Sequence, residues 1–133
     1  MYAPKFELRS FDVLPAAAKE RALLAMLEAL VATNEGFLTQ HPTTPALYAS
    51  GVVYIEEPAG RDNWQDIPRT LELREGDCED LACWRIAELR VRGLEYARPF
   101  VRHQVIGSVV LYHVAVLRGD GQIEDPSKTL GMR

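Results

Sequence analysis

Between Gly76 and Gly93 the apolar positions Cys78, Ala82, Ile86 and Leu89 recur at spacings of four, four and three. That rhythm places all four on one stripe of an α-helix. It predicts a helix starting just after Gly76, with Cys78 aimed into the body of the domain from the first turn. Arg85, Glu88 and Arg92 are expected on the wet side, and Gly93 is a plausible stop. Three acids crowd the start of this helix, in Asp77-Cys78-Glu79-Asp80. Asp77 is placed to cap the free N–H groups there. A chain of 133 residues, 47% hydrophobic, has material for one ordinary core, so one domain over 1–133 is expected.

The other elements are weaker in the pattern. Pro15 followed by "AAAKERALLAMLEALVA" reads as a helix with proline at its first turn and Asp12 near enough to cap it. That helix is expected to fade around Thr33–Gly36. The stretch "FLTQHPTTPALYASG" holds two prolines and several turn formers, which predicts loop with one short turn. Gly51–Pro58 reads as a short strand, and Ile67–Leu71 as a helical turn. "SVVLYHVAVLRGDGQIEDPS" alternates: Val110, Tyr112, Val114 and Val116 share one face, and Leu111, His113, Ala115 and Leu117 the other. "RGDG" is a hairpin turn. Helices followed by two or three antiparallel strands define an α+β fold.

Composition narrows the function classes. A net charge of -4 with both signs interspersed gives no basic stripe for nucleic acid. With no run of about 18 apolar residues, no membrane span is expected. The first residues, "MYAPKFELRSFDVL", lack the apolar block of a signal peptide. Cys78 and Cys83, five residues apart on a helix, diverge too far for a disulfide. Together these point to a reducing, cytoplasmic setting.

The chemistry-bearing residues converge on a triad. A hairpin folded about Gly119 brings His113 and Asp125 together across the ladder. A carboxylate beside an imidazole fixes its tautomer and stabilises the imidazolium. Cys78 at a helix N-terminus gains from the dipole and free N–H groups, which favour a thiolate. The neighbouring acids oppose this, unless the side chains on either side of Cys78 splay away from it. On this reading Cys78 labels readily with iodoacetamide at mildly acidic pH.

These segments, "GDCEDLA", "YHVAV" and "DGQIEDPS" in that order, resemble the transglutaminase-like branch of the papain-like superfamily, in particular the bacterial transglutaminase-like cysteine proteinases. "NWQDIP", with Trp64 and Pro68, fits the same family. "TPALYASGVVYIEEP" looks like the small transglutaminase-like proteins encoded among phage structural genes. The resemblance covers roughly Leu47 to Met132. It implies a papain-like core in which N-terminal helices and a nucleophile helix pack on a small antiparallel sheet. It also implies Cys78 as nucleophile, His113 as general base and later acid, and Asp125 as the group that orients His113. The Cys78 backbone N–H would be one oxyanion donor. Papain-type enzymes take a second from a glutamine just before the cysteine. The nearest glutamine upstream here is Gln65, thirteen positions away, and Trp64 beside it would line the substrate site. Larger family members bind calcium through acids flanking the cysteine, so Asp77 and Glu79 match as calcium ligands. Two acids are fewer than the six or more oxygens that ion takes. No organic cofactor is implied.

The activity implied is a cysteine-dependent hydrolase or acyl-transferase acting on an amide or peptide bond through a thioester, with a protein or peptide substrate. A second expectation is an interaction protein of virion assembly, bound to phage structural proteins and independent of catalysis. Cys83 and Trp84 read as packing residues, and His41 and His103 as ordinary structural histidines. Zinc could draw on Cys78, Cys83, His103 and His113, but no close ligand pair supports it.

Overall fold

The computed structural model describes residues 15–57 and 63–133, so Asp12 and the first strand's Pro58 lie outside the described residues. The chain is α+β, with helices α1 (Ala16–Gln40), α2 (Ile67–Leu73), α3 (Cys78–Val91) and α4 (Pro126–Thr129). The strands are β1 (Val53–Tyr54), β2 (Glu75–Gly76), β3 (Arg98–Ile106), β4 (Val109–Leu117) and β5 (Ile123–Glu124). A 3-10 turn, Leu47–Ala49, supplies the short turn expected in the proline-rich stretch.

α1 does not fade at Thr33–Gly36; it continues to Gln40. Packing overrides the weak local propensity of "TNEG". Leu27, Leu30, Val31 and Leu38 are buried, and Phe37 packs against the same core. Arg90 on α3 grips Glu28 and Glu35 of α1 at 2.9 and 3.1 Å. The helix ends where Pro42 disfavours helical backbone in His41, whose ring stacks on Phe37 at 4.5 Å. By length and composition α1 is apolar enough to cross a membrane, a test that the core helix of a soluble protein also passes. In this fold it lies along α3, tied to it through Arg90, and its buried Asn34 accepts the Ile67 N–H at 3.0 Å.

α3 is central rather than amphipathic. The stripe Cys78, Ala82, Ile86 and Leu89 is buried as expected, but so are Leu81, Cys83, Trp84, Ala87 and Glu88. Glu88 was expected in water. It is 4% exposed, accepts the Leu47 N–H at 3.0 Å and pairs with Arg85 at 2.8 Å. A buried carboxylate persists only with such partners. Cys83 and Trp84 are fully buried packing residues, and the Cys83 thiol donates to the Leu27 carbonyl at 3.6 Å. Both cysteines are free.

Two sheets flank this helix. β1 and β2 pair in parallel, and β3, β4 and β5 form an antiparallel sheet in that order. The hairpin register is shifted from a direct His113–Asp125 pairing: β4 and β5 match Val116 with Glu124 and Leu117 with Ile123. β5 therefore ends before Asp125, which instead starts α4.

Candidate active site

Gly76 and Asp77 deliver Cys78 as the first residue of α3. A side chain at Gly76 would press against the Asp80 Cβ, a Leu81 methyl and a Thr70 methyl at 3.2–3.3 Å. The glycine thus lets β2 run tight against the helix it precedes. Asp77 is the N-cap, as expected, and closes a capping box with Asp80. Asp77 Oδ1 accepts the Cys78 N–H at 2.7 Å, and its Oδ2 accepts the Glu57 N–H at 3.3 Å. Asp80, 1% exposed, accepts the N–H groups of Asp77 at 3.0 Å and Gln65 at 2.7 Å. Burial and the charge of Glu79 raise the Asp80 carboxyl well above its ordinary range, against those two hydrogen bonds.

Glu79 does not splay away from the cysteine. Its Oε2 lies 3.3 Å from Cys78 Sγ, and its side chain is buried. A helix start lets this happen, because position i+1 can fold back over the first turn where no preceding turn obstructs it. Burial first, and then the charge of Glu79, push the Cys78 thiol far above its ordinary value, while the nearby Val114 backbone works the other way. The helix dipole is outweighed, so the resting group is a thiol that donates to Glu79. Burial and the charge of Asp77 raise Glu79 itself to about 7.

Cys78 and Val114 of β4, one residue past His113, belong to the same buried core cluster. His113 Nε2 is 2.8 Å from Asp125 Oδ2. Asp125 uses its other oxygen, Oδ1, to cap α4 through the N–H groups of Ser127 at 3.1 Å and Lys128 at 3.5 Å. With Asp125 ionised the carboxylate accepts, and a neutral ring then has its proton on Nε2 and its lone pair on Nδ1. The structure thus joins His113 to Asp125 and sets Cys78 beside the same strand. Among the described residues the hydrogen bond of the Cys78 side chain goes to Glu79, and none links it to His113.

Gln65 and Trp64 are not free donors over the sulfur. The Gln65 amide gives its hydrogens to the Glu75 carbonyl at 3.0 Å and Thr70 Oγ1 at 3.3 Å, which makes it a brace between α2 and β2. Trp64 is half-buried against the core cluster that includes Cys78. The Cys78 N–H expected as an oxyanion donor is capped by Asp77.

The donor atoms of Asp77, Cys78 and Glu79 lie within 4.8 Å of one another. This set does not fit calcium, which takes six or more oxygens: it offers two carboxylates and a sulfur, and Asp77 is already bonded to two backbone N–H groups. Nor are the zinc candidates gathered, since Cys83 is packed against Leu27 and His103 is exposed on β3, tilted against Tyr112.

Sequence reasoning missed two contributors, Tyr54 and Glu124, and misplaced a third, Glu79. Tyr54, on β1, feels the charges of Asp77 and Cys78; burial first, then these charges, raise its phenol to about 12. Glu79 was read as pointing elsewhere. Glu124 was unremarked, yet it receives Arg85 at 2.6 Å, Arg118 at 2.6 Å and the Tyr48 hydroxyl. Its position beside Asp125 was the available signal.

No protein-family model matches the chain, and no curated protein or solved structure is significantly similar to it.

Proposed function

We propose that the protein is a cysteine-dependent hydrolase or acyl-transferase with a transglutaminase-like core, acting on an amide or peptide bond. The carrying observation is the His113 Nε2 to Asp125 Oδ2 bond of 2.8 Å, together with a helix-start cysteine that packs in the same core cluster as Val114, the next residue of that strand. Asp125 favours the neutral tautomer with its proton on Nε2 and its lone pair on Nδ1, which is the form a general base needs. Because the thiol rests protonated, the nucleophile is made on demand. His113 takes the Cys78 proton as the sulfur attacks the carbonyl, and then returns it to the leaving amine. A thioester forms, and water or an amine resolves it. Attack also requires the Glu79 and Asp77 contacts to yield, so that sulfur and N–H face the substrate.

The test needs no knowledge of the natural substrate. An activated aryl ester is offered, and acyl-Cys78 is followed by intact mass. Wild type is expected to acylate and release acid. Cys78→Ala should do neither, and His113→Ala should slow both steps. Acylation unaffected by His113→Ala would overturn the enzyme reading.

One observation favours the second reading, a virion-assembly or interaction protein of phage type. Sulfur, Cys78 N–H and Gln65 amide all have internal partners. Assembly that proceeds normally in Cys78→Ala would support it, with phage structural proteins as partners.

A further inference from the structure

We propose that the Arg85–Glu124 ion pair is a strut that fixes the His113–Asp125 pair relative to Cys78, which makes Arg85 and Glu124 positioning residues. This rests on the catalytic reading of the site. One helix carries both ends of the problem: Cys78 is the first residue of α3, and Arg85 lies two turns further along it. Arg85 reaches out of α3 to both oxygens of Glu124, Nε to Oε2 at 2.6 Å and Nη2 to Oε1 at 3.4 Å. Its Nη1 is steadied by buried Glu88 at 2.8 Å. Two-point contact with a carboxylate fixes direction as well as distance.

Glu124 is also held by Arg118, just past the end of β4, at 2.6 Å, and by the Tyr48 hydroxyl from the 3-10 turn. Arg118 in turn is forked on Glu95 at 2.7 and 2.9 Å. Three elements therefore converge on the residue preceding the acid that holds His113. β5 itself is two residues long with two ladder pairs, too short to set the path of the chain into Asp125 by backbone pairing alone. The side-chain grip supplies what the strand lacks. Glu124 faces α3, while Asp125 faces His113 and the first turn of α4. The strut acts through backbone placement, not through contact with the reacting atoms. A displacement of about 1 Å in such a constellation can cost on the order of a hundredfold in rate.

The test uses Arg85→Met, Arg85→Lys and Glu124→Gln in the full chain, with folding checked by circular dichroism. The primary readout is the pair of His113 ring nitrogen shifts from long-range 15N–1H correlation, which report the tautomer. Wild type should show the Nε2-protonated form. Arg85→Met should shift it to a mixture, and Arg85→Lys should restore part of it. The second readout is Cys78 alkylation by iodoacetamide in wild-type and His113→Ala backgrounds. Arg85→Met should change it several-fold in the first and leave it unchanged in the second. A folded Arg85→Met protein with wild-type ring shifts overturns the strut, as does an alkylation change of several-fold that is equal in both backgrounds. If Glu124→Gln does not fold, Arg85→Met decides, since it leaves Arg118 and Tyr48 on Glu124. If His113→Ala alone leaves alkylation unchanged while Arg85→Met still shifts the ring, the catalytic reading fails and the strut stands.

Discussion

Glu79 Oε2 meets Cys78 Sγ at 3.3 Å inside a buried helix start. Two anions cannot share that space cheaply, so the thiol keeps its proton. Cys78 is therefore expected to resist iodoacetamide at mildly acidic pH, opposite to what a dipole-activated thiolate would do. Glu79→Gln removes the opposing charge and should speed carbamidomethylation at pH 8 several-fold, located at Cys78 by peptide mass spectrometry. Cys83, fully buried and bonded to Leu27, should stay unlabelled in both proteins. An unchanged Cys78 rate in Glu79→Gln would show that burial alone governs the thiol.

Two carboxylates should give stability profiles of opposite sign. Burial and Asp77 raise Glu79 to about 7 in the fold, above about 4.3 for an unfolded glutamate. The folded state then holds a proton the unfolded state has lost. Its contribution is unfavourable at pH 8 and is relieved as pH falls through 7 toward 4.3. Glu79→Gln should be the more stable protein at pH 8, by on the order of 1–3 kcal/mol, with the gap closing by pH 5. Burial pushes Glu124 up, but hydrogen bonds from Arg85 and Tyr48 outweigh it and leave it below its ordinary value. That stability is full above about 4.3 and is lost as pH falls through the depressed folded value. Glu124→Gln should be less stable at pH 7, and the gap should narrow as pH falls below about 4.3. Urea unfolding at these values checks both, and parallel profiles would contradict them.

Asp125 has two separable duties, one oxygen on His113 and one on the α4 N–H groups. Asparagine retains a side-chain oxygen for the cap but presents an amide to the ring. Asp125→Asn should therefore cost little stability, within about 1 kcal/mol, and still abolish most His113-dependent acylation through the wrong tautomer. Asp125→Ala should lose both. Equal thermal shifts for the two variants would show that the cap does not depend on that oxygen.

The capping box makes a similar separation at the thiol. Asp77→Ala should destabilise by about 1 kcal/mol, and Asp77→Ser, which can still cap, by less. Asp80→Ala should cost more than either. It leaves the buried Gln65 N–H without its acceptor, at about 1–3 kcal/mol, and the half-buried Asp77 N–H as well, at less. Denaturant midpoints in the order wild type, Asp77→Ser, Asp77→Ala, Asp80→Ala are expected.

What was legible in the chain was local. The four-four-three stripe located α3 and its inward Cys78, and the alternation with "RGDG" located the hairpin that brings His113 near Asp125. Long-range packing was not legible. α1 runs through Gly36 because Phe37 and Leu38 reach the core, which no local pattern states. Glu88 looked solvated because its partners, Arg85 and the Leu47 N–H, come from one turn away and from a distant loop. Glu79 broke the expectation that neighbouring side chains diverge, because the first turn of a helix has no turn before it.

Gly76 stands two positions before the cysteine. Its backbone does not need a left-handed conformation: the described residues with positive φ include Gly51, Gly107, Gly121 and Gly131, and not Gly76. What it needs is space. An alanine Cβ would stand 3.2 Å from Asp80 Cβ and from a Leu81 methyl, and 3.3 Å from a Thr70 methyl. Asp80 cannot retreat without loosening its bonds to Asp77 and Gln65, and Leu81 is fully buried. Gly76→Ala should therefore cost about 1–3 kcal/mol, the range for overpacking a filled site. Because the displaced atoms belong to the helix start, Cys78 alkylation should rise as well. A second change that makes room, Thr70→Ser, removes one of the two opposing methyls and should recover part of the loss in urea midpoint. A Gly76→Ala protein as stable as wild type would mean that α3 can slide away from β2 freely, and the fixed placement of the thiol would not follow from this close approach.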